Sequence, residues 1–155
     1  MTKKNGRIVI KCSAYGSIEI SRDRLITLLD GVNGNCANAT PGPGSFVILG
    51  LKRYAPFLLL VSAKNPHVSY PIINPRAVFP EYKPPIPYEE LCCIGNPEMD
   101  CVQVMTTVEL DLERRLAFTD LKHPILVNVR KRLAKQVEVD SYPEKYEIPV
   151  TLLRQ

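Results

Sequence analysis

TDLKHPILVNVRKRLAKQVEVD, residues 119–140, reads as one β-hairpin. Ile125, Val127 and Val129 alternate with Leu126, Asn128 and Arg130; beyond a short basic turn, Val137 and Val139 alternate with Gln136, Glu138 and Asp140. A period of two sends successive side chains to opposite faces of a strand, which assigns the aliphatic set to the core and the polar set to the other face. On that assignment a carboxylate at Ile125 or Val127 is expected to unfold the chain. One at Leu126, pointing the other way, is expected to cost less.

The strongest alternation lies just upstream, in residues 99–110. There Val102, Val104, Thr106, Val108 and Leu110 interleave with Gln103, Met105, Thr107 and Glu109. Residues 113–118 offer a short strand between the two. Residues 46–51 and 56–63 are near-continuous apolar runs and predict adjacent strands buried on both faces. Residues 6–12 and 15–20 predict an opening strand pair, and residues 147–152 a closing strand. Residues 68–73 read as a weaker strand: Pro71 brings no N–H to a ladder, which predicts an edge or a bulge. In residues 21–29, Leu25, Leu28 and Leu29 have helical spacing behind Ser21 as a cap, yet the same residues suit a buried strand.

Two segments punctuate this pattern. Residues 31–45, with four glycines, three asparagines and two prolines, predict a loop. Seven of the 14 prolines fall between Pro71 and Pro97. They fix φ and remove donors, so this belt predicts a rigid connector rather than sheet. Within it residues 88–94 suit a short helix, entered at Pro87 and ended by Gly95. Many short strands with little helix predict an all-β barrel or sandwich, with residues 1–155 forming a single domain.

Composition narrows the function classes. Hydrophobic residues at 45% and charged residues at 23% are ordinary for a globular protein. The longest apolar run, residues 56–61, falls far short of the ~18 residues of a membrane span. The N-terminus lacks an apolar segment of signal length, so a cytoplasmic protein without membrane contact is expected. Five cysteines, odd in number and without a C-x-x-C pair, predict reduced and mostly buried thiols. Cys92, Cys93 and Cys101 lack zinc-ligand spacing, so no metal is expected. His67 follows Pro66 and His123 precedes Pro124; neither belongs to a nucleophile elbow or a zinc-binding helix, and both read as structural. Adjacent Glu89 and Glu90 would diverge by about 100° on a helix rather than share a substrate. No enzymatic activity and no cofactor are expected.

Charge is uneven about a net +4. Residues 111–135 hold seven basic and three acidic side chains, whereas residues 81–100 hold one basic and five acidic. Such asymmetry orients a protein partner or steers a polyanion. Arg130, Lys131, Arg132 and Lys135 at the hairpin tip make a nucleic-acid-binding barrel the alternative function. Folds of that kind interleave aromatics for base stacking, and residues 119–140 contain none of the ring residues Phe, Tyr or Trp. Direct nucleic-acid binding is therefore not expected.

Six stretches, in order, carry a resemblance. They are Tyr15-Gly16-Ser17-Ile18-Glu19-Ile20; Phe46-Val47-Ile48-Leu49; the run Pro56-Phe57-Leu58-Leu59-Leu60-Val61-Ser62; Pro75 with Phe79-Pro80-Glu81-Tyr82; Asp120-Leu121-Lys122-His123-Pro124-Ile125; and Lys135-Gln136-Val137. Together they resemble the flagellar assembly factor FliW family across most of the chain. Asp120 stands where the family's strand entry usually has asparagine, Asn74 where an aspartate precedes Pro75, and Gly31-Val32-Asn33-Gly34-Asn35 where a proline-containing turn is common. The resemblance implies a small closed or nearly closed antiparallel or mixed β-barrel with one or two short helices, and it favours extended chain over residues 21–29. It also implies a cytoplasmic, cofactor-free monomer that binds flagellin and antagonises the RNA-binding translational regulator CsrA, linking flagellin level to its translation. The residues expected to meet a partner are Phe79, Glu81 and Tyr82 on the belt and Arg130 and Arg132 at the hairpin tip. Core anchoring of the belt is the competing role for Phe79 and Tyr82.

Overall fold

The computed structural model describes residues 2–4, 6–12, 16–29 and 43–153. In chain order the elements are β1 (Thr2–Lys4), β2 (Arg7–Cys12), β3 (Gly16–Ser21), β4 (Ile26–Leu28), β5 (Gly44–Leu49), β6 (Leu58–Ser62), β7 (Ser69–Ile73), α1 (Tyr88–Cys93), β8 (Val102–Asp111), β9 (Leu116–Thr119), β10 (Ile125–Asn128), β11 (Leu133–Gln136), β12 (Tyr146–Glu147) and α2 (Val150–Leu153). Single 3-10 turns occur at Arg22–Arg24, Lys52–Tyr54, Pro75–Ala77 and Met99–Cys101. Residues 21–29 thus resolve as a short turn followed by strand. Most of the expected loop at 31–45 lies outside the described residues.

Seven strands close on themselves in the order β10-β11-β4-β5-β6-β7-β8, with β8 returning to β10. The β11–β4 pair is parallel and the others are antiparallel, so the barrel is mixed. Its interior holds Ile26, Leu28, Phe46, Leu60, Ile72, Met105, Ile125, Val127 and Ala134. The pair β5–β6 is buried on both faces as its apolar runs require: Val47, Leu49 and Val61 point outward, onto Ile8, Ile10 and Ile20 of the β1-β2-β3 sheet. Strands β8, β9 and β12 extend past the barrel over a further cluster that includes Ile73, Val78, Ala117 and Ile148. The expected closing strand is only β12, and α2 follows it.

The hairpin departs from its assigned faces. All of β10 is buried, Leu126 included at 0% exposure, while Val129 at the tip is 40% exposed. Pairing sets Ile125 opposite Gln136 and Val127 opposite Ala134, so these four side chains share the barrel side. Leu126, Val137 and Val139 lie on the outer side with Ile94, under the proline belt. Period two holds within each arm, but the aliphatic sets of the two arms face opposite ways. The polar positions Asn128 and Gln136 are buried as well, each at 2% exposure. Asn128 Nδ2 donates to the Ile94 carbonyl at 2.7 Å and Gln136 Nε2 to the His123 carbonyl at 2.9 Å, which offsets part of their desolvation.

Pro71 is not at an edge, because β7 lies between β6 and β8. The ladder with β8 covers only Ile72 and Ile73 and stops at Pro71, which brings no N–H to it. The belt is a connector as expected. Gly95, at φ +90°, closes α1 by donating to Cys92, and Asn96 donates to Leu91. Cys101 is buried, but Cys92 and Cys93 are exposed on this helix, contrary to the expectation of buried thiols. A six-residue helix lying on the sheet has an outer side that cannot be covered.

Candidate functional site: the proline belt and its groove

The belt is held rigid from its first turn. The Asn74 side chain accepts the Arg76 N–H at 3.0 Å, Pro75 opens the 3-10 turn, and the Phe79 and Tyr82 amides donate back to Pro75 and Phe79. Tyr82 is 2% exposed; its hydroxyl donates to the Leu121 carbonyl at 2.7 Å across the belt–barrel junction. Its ring meets Tyr142 edge-on at 4.7 Å, and Phe79 meets Tyr142 and Tyr146 edge-on at 6.1 and 5.5 Å. The Tyr142 hydroxyl accepts the Lys83 N–H at 3.1 Å. Tyr82 therefore anchors the belt with a buried ring, Phe79 is half-buried beside it, and Glu81 between them is exposed. Tyr142 and Tyr146 complete this cluster; the only sequence signal for them was their position just before the closing strand.

Burial pushes the Tyr82 phenol well above its ordinary range, with Tyr142 and Asp120 adding to the effect. A phenol raised in the folded state stabilises the fold below the unfolded value near about 10 and loses that contribution as pH rises through the folded value. The expected result is a melting temperature that falls steeply above about pH 10 in the parent chain and less steeply in Tyr82→Phe. Equal alkaline slopes in a thermal melt series would place the titrating group elsewhere.

The strand entry at residues 120–124 forms a bulge between β9 and β10, organised by Asp120. Its Oδ1 accepts the N–H groups of Lys122 and His123, and its Oδ2 lies 2.9 Å from His123 Nδ1. Burial raises the Asp120 pKa, opposed by these hydrogen bonds. His123 is 2% exposed and lies between two carboxylates, with Glu138 Oε1 3.2 Å from its Nε2.

At the hairpin tip Asn128 Oδ1 accepts the N–H groups of Arg130 and Lys131, each at 3.1 Å, which ties the turn to the end of α1. Arg132 adopts φ +58° and donates its N–H to the Asn128 carbonyl at 2.9 Å. Lys135 Nζ lies 2.8 Å from Glu90, an internal contact between the basic and acidic segments, and this hydrogen bond raises the Lys135 pKa. Among the described residues no ion pair includes Arg130, Lys131 or Arg132.

Between the belt and the first half of β8 lies a cavity of about 590 Å³. Its lining includes Arg76, Tyr82, Lys83, Ile86, Met99 and Val104. Met99 is 58% exposed, a flexible apolar side chain at the mouth of a rigid groove. The structure brings Tyr82 to this groove and does not bring Arg130 or Arg132 into its lining. Among the described residues no group of His, Cys, Asp and Glu side chains has the arrangement of a metal site, and no helix is long and apolar enough to cross a membrane.

The FliW protein family model matches residues 9–151, all but the two ends of the chain. The chain belongs to the FliW family, a family of flagellar assembly factors. The flagellar assembly factor FliW of Bacillus velezensis is 29% identical over 91% of this chain and 96% of its own length. That of Bacillus licheniformis is 32% identical over 84% of this chain and 87% of its own. A crystal structure of the flagellar assembly factor FliW superposes with a TM-score of 0.75 at 26% identity, covering 91% of this chain and 97% of that one. The barrel and its short helical turns are thus the FliW fold. The aspartate at the FliW strand entry, residue 120, performs the backbone capping that an asparagine oxygen also provides.

Proposed function

We propose that this chain is a non-enzymatic regulator of flagellar assembly that binds flagellin and a CsrA-type translational regulator. Flagellin withdraws the chain from the regulator, so the level of free flagellin feeds back on its own translation. The chain acts in the cytoplasm as a monomer, and binding alone suffices. The observation that carries this reading is the FliW match over residues 9–151, reinforced by relatives that align along nearly their whole length. The rigid aromatic belt suits a protein-contact surface, since little conformational entropy remains to be lost on binding.

The test is recovery from a lysate of the source bacterium at moderate salt. The tagged chain is expected to retain flagellin, and added CsrA is expected to bind the purified chain. Arg130 and Lys131, in no ion pair among the described residues, favour weak polyanion contact as a second reading, so the flagellin transcript is the necessary control. Any RNA contact should vanish steeply with salt, because it releases counterions, while protein contact persists. Sequence-selective RNA binding with no affinity for either protein would overturn the proposal.

A further inference from the structure

Strand β8 is paired along one edge by β10 at residues 102–105 and by β9 at 108–111, with the Asp120 N–H donating to the Thr107 carbonyl between them. On its other edge, among the described residues, only Thr106 and Thr107 are paired, to Ile73 and Ile72 of β7. The Cys101 carbonyl accepts the Val129 N–H at 3.0 Å, on the β10 side. The Val102 N–H, antiparallel to it in the same planar peptide, points away and bonds the Met99 carbonyl. Alternation along the strand then turns the N–H and C=O of Gln103 and Met105 toward β10. Those of Val104, and the C=O of Val102, open onto the 590 Å³ groove.

This groove has the chemistry of a strand acceptor. One wall is a β edge with unpaired donors and acceptors, and the opposite wall carries Pro75 and Pro84, which have no N–H to compete. Among the described residues Arg76 and Lys83 are its charged lining residues, and no carboxylate lines it. The same β8 edge opens again at Val108 and Leu110, but the cleft of about 260 Å³ there is lined by Glu109, Asp120 and Glu144 against Lys145 alone. The two openings are opposite in charge.

We propose that the Val102–Val104 edge takes up an extended acidic segment of a partner protein as an added strand, with its carboxylates toward Arg76 and Lys83. Main-chain hydrogen bonds supply affinity and the two cations supply selectivity. This deepens the partner-binding reading, on which only the identity of the natural segment depends.

The test uses the full chain, labelled for amide detection, and four capped hexapeptides: alternating Glu-Val, alternating Lys-Val, and two Glu-Val peptides N-methylated at every second residue, one in each register. The Glu-Val peptide is expected to slow exchange of the Val104 amide. N-methylation on the bonding edge, replacement by Lys-Val, or Lys83→Glu with unchanged melting should each weaken binding by about tenfold or more. Binding indifferent to N-methylation in both registers, equal binding of Lys-Val, or no response at Val104 would overturn the proposal. Should flagellin and CsrA bind while no peptide reaches Val104, the edge proposal falls and the partner reading stands. Peptide capture at Val104 without affinity for either protein would uphold the edge and overturn the partner reading.

Discussion

Leu126→Asp is expected to unfold the chain as completely as Ile125→Asp does. Leu126 is fully buried among Ile94, Val137 and Val139, with Val102, Val104 and Tyr142 packed against them. Ile125 is 2% exposed inside the barrel. Either substitution leaves a carboxylate without a partner in an apolar cluster, at a cost of roughly several kcal/mol, comparable with the whole stability of a small domain. Circular dichroism melts of both variants check this. A folded Leu126→Asp beside an unfolded Ile125→Asp would mean that the belt does not seal the outer face of the hairpin.

Tyr82→Ala should be the next most damaging change. It removes a buried ring, its edge-on contact with Tyr142 and the hydrogen bond that ties the belt to the Leu121 carbonyl. Large-to-small changes of this kind cost about 3–5 kcal/mol, and Tyr82→Phe should recover all but the hydrogen bond, about 1 kcal/mol. Glu81→Ala, at an exposed position, should melt like the parent. Urea midpoints for the three variants separate the roles. A Tyr82→Ala chain as stable as the parent would show that the ring is not the anchor.

Much of the fold was legible in local pattern. The apolar runs at 46–51 and 56–63, the alternation at 102–110, and Pro87 and Gly95 around α1 each follow from a property of a few neighbouring residues. The faces of the hairpin were not legible. Asn128 and Gln136 look like solvent positions, yet each is buried because a carbonyl distant in sequence or across the strand accepts its amide. Nor does Pro71 announce an interior strand: it pairs with Leu59 on the β6 side and ends the ladder on the β8 side. The parallel β11–β4 contact joins segments a hundred residues apart, and no periodicity encodes it.

The candidate site was half legible. Two aromatics on a proline-rich connector pointed to the belt that borders the groove, but their exposure is set by Tyr142 and Tyr146 arriving from the far end of the chain. The opening beside Val104 arises from strand lengths that fail to match, with β8 at ten residues and β7 at five. Strand pairing alone reveals such an edge.

The proposed function requires flagellin and a CsrA-type regulator to compete for this chain. The most direct measurement is a titration of source-organism flagellin into the preformed complex of the chain with its CsrA, followed by calorimetry or size-exclusion chromatography. Flagellin is expected to release CsrA as it binds the chain. A chain that binds neither protein, or a CsrA complex that persists unchanged with saturating flagellin, would overturn the proposed function.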